Sequence, residues 1–580
     1  MILKALYDYY HRSGDLAPEG FEYKEIPFVI VLDESGKVIN VEDRRIDKRR
    51  SQTFLVLKES RTSAPKPFAF YDNLEYVFGY VPEFLEQANN DDKKDNQEQK
   101  RKKIEEKHNL FVARCEDLFI NNSDCKVFKA VNLFYKINGP DFVKSLPIWN
   151  DILTKVGANI SFKLLGDTII AASEPILNNE VKYEDSSPIN SFPNCLITGL
   201  KSKPVEITAA TMIPGSQAMA KLVAFQVNSG YDSYGKKQGN NAPISKSAEA
   251  AYTTALQKLL SKDSHNKFLV GDRTFLFWAS SQSDGAKELE ELTYSFFGYV
   301  DEKTDDPNKR IEKVKKVFSS IYSGTISSDL DDKFYILGLA PNAARIAVVY
   351  WEETSLRDFA YHILSHCEDM ALIDNRLGKI PYYGLRQMMS SVTLSGKVSD
   401  VQPNLPEATI KSILQGTPYP YSLFISALKR ILAEQNATIG RVAIIKAYLN
   451  RLIDSSNKKL ETMVDKENVN QGYLCGRLFA TLEYIQKRSS GTNSIRERYM
   501  NAASSTPSAV FSTLLNLSVH HIDKLERGIQ IYFEQIKGEI IDKILADGFP
   551  AHLSLQDQGR FMVGYYHQLH EFYTKKENNE

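Results

Sequence analysis

The sequence predicts an α+β protein, with a mixed α/β N-terminal and middle region containing antiparallel strands, followed by an all-α C-terminal helical bundle. Short segments rich in β-branched and aromatic residues, bounded by turn residues, recur through the first 405 positions. From about residue 410 they disappear, and apolar residues recur with the period of a helix. With 42% hydrophobic and 25% charged residues, the composition is that of a globular protein. We therefore expect three domains, at residues 1–190, 191–405 and 406–580.

The N-terminal segments alternate between helix and strand signals. Residues 2–11 predict a short amphipathic helix, because Ile2, Leu6 and Tyr10 fall on one face. IPFVIVLD, the turn ESGK and VINVED predict a β-hairpin, and TFLVLKES a third strand. DNLEYVFGYVPEFLEQ begins a helical region. The mixed-charge run NNDDKKDNQEQKRKKIEEKHN after it is expected to be a solvated helix or loop.

The middle segments predict further strands, and the C-terminal segments predict helices. Strand signals recur in NISFKLLGDTII, NCLITG, KLVAFQV and FLVGDRTFLFWAS. FYILGLAPNAARIAVVYW predicts two strands joined at the Pro341–Asn342 turn, and the amphipathic helix SLRDFAYHILSHCEDMALI follows. Long helical runs such as YSLFISALKRILAE, GYLCGRLFATLEYIQKR and GRFMVGYYHQLHEFYTKK then predict the bundle.

Charge and cysteine content bound the possible functions. The 72 basic and 73 acidic residues give a net charge of −1, so a nucleic-acid role needs locally concentrated cations. The five cysteines are scattered without a C-x-x-C pair, which predicts a reduced, intracellular protein without a zinc ribbon. No apolar run approaches a membrane span, and Asp8, His11 and Arg12 come too early for a secretory signal. We expect a soluble, cytoplasmic protein.

The loop SYGKKQGNNAP runs directly into the amphipathic segment ISKSAEAAYTTALQKLL. Ser245 or Ser247 can cap the predicted helix, whose free N–H groups favour an anion within reach of Lys236 and Lys237. A mononucleotide P-loop is excluded, because Gly239 is followed by asparagines rather than by the Lys-Ser/Thr pair that this motif requires. A polynucleotide backbone contact and an ordinary loop both remain open.

Metal and nuclease motifs are weak. His362 and His366 are spaced i, i+4, but the segment HILSH lacks the glutamate of a zinc-protease motif, so a structural role is favoured. A metal-dependent nuclease could use Asp141 of PDFVK with Glu180 and Lys182 of EVK. Such short matches are expected by chance in a sequence rich in acids and lysines. The residues by themselves do not indicate an enzyme.

Two groups of basic residues are candidates for nucleic-acid contacts. Four cations surround a Ser/Gly/Asn linker between two predicted helices: Lys487, Arg488, Arg496 and Arg498. The pattern is equally compatible with phosphate contacts and with a solvated corner. Near the N-terminus, Arg61, Lys66 and Asn73 lie in and beside a loop punctuated by prolines. Loops of this kind can enter a DNA groove, although most bind nothing.

Several segments, in this order, resemble the large subunit of type I-C CRISPR surveillance complexes (Cascade). The resemblance covers essentially the whole chain. It is carried by MILKALYDYYHRSGDLAPEGFEYKEIPFVIVLDESGK, DNLEYVFG, CLITG, SYGKKQGNNAPISKSAEAAYTTALQKLL, LVGDRTFLFWA, FYILGLAPNAARIAVVYW, GRLFATLEYIQK and SIRERYMNAASSTPSAVF.

The resemblance implies a nonenzymatic subunit, without cofactor or metal, of an RNA-guided DNA-binding complex. Such a subunit senses the protospacer-adjacent motif, helps open the duplex, stabilises the displaced strand and recruits the helicase-nuclease. The implied partners are the backbone, guide-end and small subunits of Cascade, CRISPR RNA, target double-stranded DNA and the helicase-nuclease. The C-terminal bundle resembles the Cascade small subunit. The alternatives are the nuclease built on Asp141, Glu180 and Lys182, and a purely structural scaffold.

The resemblance also assigns expected roles to individual residues. Lys66 and Asn73 are expected to read the motif in the minor groove, where A·T pairs present only acceptors. Contacts with the nucleic-acid backbone, which give affinity without sequence specificity, are expected from Arg61, Lys236, Lys237, Gln238, Lys487, Arg488, Arg496 and Arg498.

Overall fold

The computed structural model confirms the α+β class: its sheets lie in the N-terminal and middle parts of the sequence, and helices occupy the C-terminal part. It describes residues 1–47, 50–59, 61, 64–81, 91–154, 157–181, 192–225, 230, 232–261, 263–297, 316, 319–320, 323, 332–374, 380–381, 384–402, 404–452, 459–491 and 494–573. The chain divides into two compact units, one of residues 13–205 and 242–254 and the other of residues 1–12, 206–241 and 255–580. The three-domain division remains a prediction.

The bounds of the described elements are as follows. The strands are β1 (Phe21–Glu25), β2 (Phe28–Leu32), β3 (Val38–Asp43), β4 (Thr53–Leu57), β5 (Tyr71–Asp72), β6 (Ile160–Leu164), β7 (Lys267–Val270), β8 (Arg273–Ala279), β9 (Lys333–Asn342) and β10 (Arg345–Ser355). The helices are α1 (Ile2–Arg12), α2 (Leu74–Phe78), α3 (Asp91–Asn121), α4 (Lys126–Lys136), α5 (Gly139–Lys144), α6 (Trp149–Leu153), α7 (Lys246–Leu260), α8 (Asp284–Phe297), α9 (Leu356–Met370), α10 (Leu385–Ser391), α11 (Asn404–Gln415), α12 (Tyr421–Glu434), α13 (Ile439–Arg451), α14 (Gln471–Ser490), α15 (Ser494–Ser505), α16 (Pro507–Ile522), α17 (Arg527–Ile541) and α18 (Leu555–Glu571).

The unit of residues 13–205 and 242–254 is built on a four-stranded mixed sheet of order β3-β2-β6-β5. Strand β2 pairs antiparallel with β3 and parallel with β6. All five residues of β2 are buried, as expected for a central strand covered on both faces. The predicted ESGK turn joins β2 to β3, where Asp33 accepts hydrogen bonds from the backbone N–H groups of Ser35 and Lys37.

Two local predictions in this unit are corrected, one by pairing between distant segments and one by a local turn. Strand β1 is absent from the predicted elements and forms because it pairs antiparallel with β4. NCLITG forms a turn rather than a strand, with the Gly199 N–H donating to the Cys195 carbonyl. The mixed-charge run is helical from residue 91, within the long helix α3, and its side chains at residues 98–103 are exposed. Residues 82–90, which include part of the predicted helical region, lie outside the described residues.

The unit of residues 1–12, 206–241 and 255–580 combines an antiparallel sheet with the helical bundle. The sheet has the order β10-β9-β8-β7, and β9 and β10 form the predicted hairpin. Its turn falls two positions later than predicted, at Ala343 and Ala344, and the φ of 50° at Ala343 is left-handed. In KLVAFQV, residues 221–225 form no strand but a single bridge, between Lys221 and Arg345. Buried side chains of the sheet and the bundle belong to one apolar core, in which the rings of Phe334 and Phe359 are 4.4 Å apart.

Helices α14 and α18 approach closely because glycines lie at their contact. A Cβ atom on Gly476 would lie 2.0 Å from the carbonyl oxygen of Phe561, and one on Gly564 would lie 2.2 Å from that of Tyr473. Both distances are far below van der Waals contact, so the two backbones can meet only where side chains are missing. This crossing positions the side chains of α14, including those at the C-terminal corner described below.

Candidate nucleic-acid interface

The proline-punctuated loop before α2 is held by one arginine. The Arg61 Nε donates to the Lys66 carbonyl over 2.7 Å, and its Nη2 donates to Asp72 Oδ2. The guanidinium also lies between two rings, 4.1 Å from the Phe68 centroid and 4.2 Å from the Tyr76 centroid. These interactions make Arg61 an internal anchor of the loop, and its expected contact with a nucleic-acid backbone remains a prediction.

Asp72 is the acidic partner of this anchor. Its side chain is only 1% exposed, and burial raises the pKa of its carboxyl even though Arg61 donates to it. The backbone N–H groups of Phe68 and Asn73 donate to its two oxygens over 3.2 Å and 2.9 Å. A buried acid with these donors stabilises one conformation of the loop. Sequence reasoning missed Asp72, although an acid inside the apolar segment FAFYDN was a signal that a cation must be nearby.

Asn73 caps helix α2. Its Oδ1 accepts hydrogen bonds from the backbone N–H groups of Glu75 at 3.1 Å and Tyr76 at 3.4 Å. Because the oxygen faces the helix, the Nδ2 group faces away from these N–H groups, and the described residues provide no acceptor for it. The half-buried side chain is therefore both a structural cap and an oriented donor.

Lys66 presents its ammonium group on the surface of the same loop. It lies between Pro65 and Pro67, which restrict the backbone to extended conformations. Its side chain is 53% exposed, and its Nζ lies 3.7 Å from Glu59 Oε1. Because this ion pair is long and its lysine is solvated, we expect it to contribute little to stability. The structure thus connects the two predicted motif readers, Lys66 and Asn73, through Arg61 and Asp72.

The second predicted contact region is a closed loop in which Asp232 and Asn241 form the base. Asp232 Oδ1 accepts from the Gln238 backbone N–H at 3.0 Å and from Asn241 Nδ2 at 3.1 Å. Lys236 and Lys237 lie at the exposed tip, and neither has an ion-pair partner among the described residues. Gln238 is half-buried and starts a short 3₁₀ turn. The expected helix cap is confirmed at Ser245, whose Oγ accepts from the Ala248 N–H at 3.2 Å.

The C-terminal corner between α14 and α15 has three exposed cations. Arg488 and Arg498 are exposed, with no acidic partner in the described part of the chain. Lys487 is also exposed, and its Nζ lies 3.2 Å from the hydroxyl of Tyr573. Gln486 stabilises the corner, since its side chain accepts from the Ile495 N–H at 3.0 Å.

The fourth predicted cation of this corner is partly internal. Arg496 Nε lies 3.8 Å from Glu483 Oε1, and the Glu483 side chain is 4% exposed. The hydroxyl of Tyr565 donates to the other oxygen of Glu483 over 2.6 Å, while burial raises the pKa of this carboxyl. Arg496 therefore compensates a buried acid, in contrast to its exposed neighbour Arg498.

The residues of the nuclease alternative do not form the strand geometry that it requires. Asp141 lies on α5, where Asn138 donates to its carboxylate and lowers its pKa. Glu180 ends a 3₁₀ turn and pairs with Arg114 at 3.4 Å. Lys182 lies outside the described residues. A magnesium-binding acid pair on neighbouring strands is thus absent at Asp141 and Glu180.

One histidine of the i, i+4 pair, His366, packs inside the core of its unit. His366 is fully buried, its Nδ1 lies 2.6 Å from the Tyr419 hydroxyl, and burial lowers its pKa to about 3. No group of three or more metal-ligating side chains occurs among the described residues. In the same part of the chain, no helix combines the length and apolar character needed to cross a membrane.

The fold and the candidate sites define an α+β protein with an oriented amide donor at Asn73 and with surface cations that have no acidic partner among the described residues. The chain matches the family described as CRISPR-associated protein (Cas_Csd1) over residues 5–573, and it belongs to that family. This confirms the family that the ordered segments of the sequence indicated. The curated proteins include no match to the chain.

Proposed function

We propose that the protein is the nonenzymatic large subunit of a type I-C RNA-guided CRISPR interference complex. In this role it senses the protospacer-adjacent motif, helps open the duplex, stabilises the displaced strand and recruits the helicase-nuclease. The carrying observation is the family match from residue 5 to residue 573, which includes all candidate contact residues. Its partners are the other Cascade subunits, CRISPR RNA, target DNA and the helicase-nuclease, and it acts in the cytoplasm without a cofactor.

Motif sensing is assigned to the loop held by Arg61. Guide pairing reads the target sequence, so the protein needs to read only a few base pairs. The minor groove of A·T pairs presents acceptors alone, which match donors such as the Asn73 amide and the Lys66 ammonium. The ordered contacts of Arg61 and Asp72 support this assignment, because a preformed reader loses less entropy on binding.

Strand holding is assigned to the exposed cations. Lys236 and Lys237 form one group, and Lys487, Arg488 and Arg498 form another. Lysine and arginine contacts with phosphates give affinity that is independent of sequence and decreases with salt. In this proposal residues 1–190 carry the sensing loop, residues 191–405 the basic loop, and residues 406–580 the bundle that holds the strands.

The test uses the protein assembled with its partner subunits and a guide RNA. The complex should shift a matching duplex only when the correct flanking motif is present, and it should shift a pre-opened target with or without the motif. A complex that binds matching duplexes equally with any flank would exclude motif sensing and favour the scaffold alternative. Guide-independent cleavage in magnesium that is lost in Asp141→Ala would instead favour the nuclease.

A further inference from the structure

Tyr234 occupies an unusual position at the tip of the basic loop. Its side chain is 100% exposed. The φ angles of Tyr234 and Gly235 are +53° and +72°, and the Lys236 N–H donates to the Ser233 carbonyl over 3.0 Å. Two consecutive left-handed residues with this hydrogen bond define a type I′ turn.

A tyrosine at the first central position of such a turn works against folding. The left-handed conformation favours asparagine or glycine there and is an outlier for a bulky residue. The ring also gains nothing from burial, since it is fully solvated. Local strain without a packing benefit is characteristic of positions that contact a partner.

Hydrogen bonds at the base of the loop hold the backbone on both sides of the tip. Asn241 Oδ1 accepts from the Ser233 N–H at 3.2 Å, and Asn241 Nδ2 donates to the Gln238 carbonyl at 2.9 Å. The Asp232 carboxylate accepts hydrogen bonds from the Gln238 N–H and from the Asn241 side chain, so this acid lies at the base of the loop and not at its tip. The tip, residues 233–237, therefore presents one aromatic ring and two ammonium groups and contains no acid.

From this geometry we infer that Tyr234 stacks on an unpaired base of the displaced DNA strand, while Lys236 and Lys237 contact the adjacent phosphates. A projecting ring can reach the face of a base only where that base is unstacked, which excludes an intact duplex. Aromatic stacking combined with cations is how proteins bind single strands without sequence preference. A protein partner would require apolar neighbours of the ring, but Tyr234 is flanked by serine, glycine and lysines. The inference rests on the proposed function, which generates the unpaired strand.

The experiment compares Tyr234→Asn with Tyr234→Phe in the full-length chain. Binding is measured by fluorescence anisotropy with a labelled oligothymidylate of about 15 nucleotides, within the site size of common single-strand binders. Tyr234→Asn should weaken binding roughly five- to a hundredfold, the loss that removal of one stacking contact produces. Tyr234→Phe should remain within about twofold of the wild type, because the ring carries the interaction. The melting temperature of Tyr234→Asn should be unchanged or higher, since asparagine suits the turn.

Several results would overturn the inference. Equal affinity of Tyr234→Asn and wild type for the oligothymidylate, or no measurable binding by the wild type, would exclude stacking. Tyr234→Asn could instead weaken binding to an oligouridylate of the same length and leave binding to the oligothymidylate unchanged. That result would place the contact on RNA and overturn the assignment to DNA.

The outcome is separable from that of the proposed function. Motif discrimination is measured on duplexes with the assembled complex, whereas stacking is measured on a single strand that carries no motif. A complex that discriminates motifs while Tyr234→Asn binds normally overturns only the stacking inference. A complex indifferent to the motif, together with weakened binding by Tyr234→Asn, overturns only motif sensing.

Discussion

The guanidinium of Arg61 donates a hydrogen bond to the buried carboxylate of Asp72. The same guanidinium donates to the carbonyl of Lys66, and Asp72 accepts from the backbone of Asn73. One ion pair thus connects the two residues expected to read the flanking motif. Because Asp72 and Arg61 determine where both readers lie, they are positioning residues in the proposed function.

Removing the cation should destabilise the protein. Arg61→Gln leaves Asp72 buried without its charged partner and should lower the free energy of unfolding by about 2–4 kcal/mol. The matched control is Lys126→Gln, which breaks the solvated pair with Glu34 and should leave the free energy of unfolding nearly unchanged. Urea denaturation measures both. Similar small losses for the two variants would contradict the internal role of Arg61.

Two substitutions separate the capping role of Asn73 from its donor role. Asn73→Ala should cost about 1 kcal/mol of stability and also weaken binding to a motif-bearing duplex far more than to a pre-opened target. Asn73→Ser keeps a capping oxygen and removes the amide donor, so stability should be retained while motif-dependent binding falls. Gel shifts with both targets and urea denaturation give the comparison. Normal motif discrimination in Asn73→Ser would argue against groove readout by this residue.

Arg498 and Arg496 should respond differently to neutralisation. Arg498→Gln should lower affinity for all DNA sequences and reduce the salt slope by about 0.7–0.9, the contribution of one phosphate contact. Arg496→Gln removes the arginine that lies nearest the buried Glu483 carboxylate, to which the Tyr565 hydroxyl still donates, and should lower the free energy of unfolding by about 1–3 kcal/mol. Binding titrations over a salt series and urea denaturation separate these effects. An unchanged salt slope in Arg498→Gln would assign this arginine to a solvated corner.

Buried histidines predict loss of stability in acid. Burial lowers the pKa of His366 and of His567 to about 3, whereas the ordinary value is 6.5. Between these values the unfolded chain binds more protons, so the stabilising effect is complete above about pH 6.5 and is lost as pH falls. Each ring can lower the free energy of unfolding by at most about 1.4 kcal/mol per pH unit.

The measurement is urea denaturation between pH 7.5 and pH 5. A His567→Gln variant is expected to be less stable at neutral pH, because its hydrogen bond with Tyr473 is changed. Its stability should nevertheless decline less steeply with acid than that of the wild type, since one titrating group is gone. Parallel pH profiles for the two proteins would contradict the assignment to His567.

Adding a methyl group should have opposite effects at two helical glycines. Gly476→Ala would place Cβ against the Phe561 carbonyl and should cost about 3 kcal/mol or more, although alanine is the better helix former. Gly538→Ala on α17 meets no atom within 4 Å and should stabilise the protein by about 0.5–1 kcal/mol. Thermal denaturation of both variants gives the test. A stable Gly476→Ala would contradict the close crossing of α14 and α18.

Predictions that depended on local pattern were confirmed more often than those that depended on distant partners. The β9–β10 hairpin and the helices of the bundle follow from turn residues and from periodicity, which are read within a few positions. Strand β1 was missed because its partner β4 begins 28 residues after β1 ends, at Thr53 after Glu25. NCLITG has a strand-like composition but forms a turn, because tertiary context overrides β propensity.

The sequence by itself determined the α+β class, the helical C-terminal region and the family, because periodicity and ordered segments are properties of the chain. Only the tertiary structure separated Arg61 and Arg496, which compensate buried acids, from Arg498, which faces solvent. The sequence shows that a residue is a cation. It does not show whether a buried acid such as Glu483 lies beside that cation. Desolvation depends on the packing of distant segments, and it decides which cations remain available for phosphate.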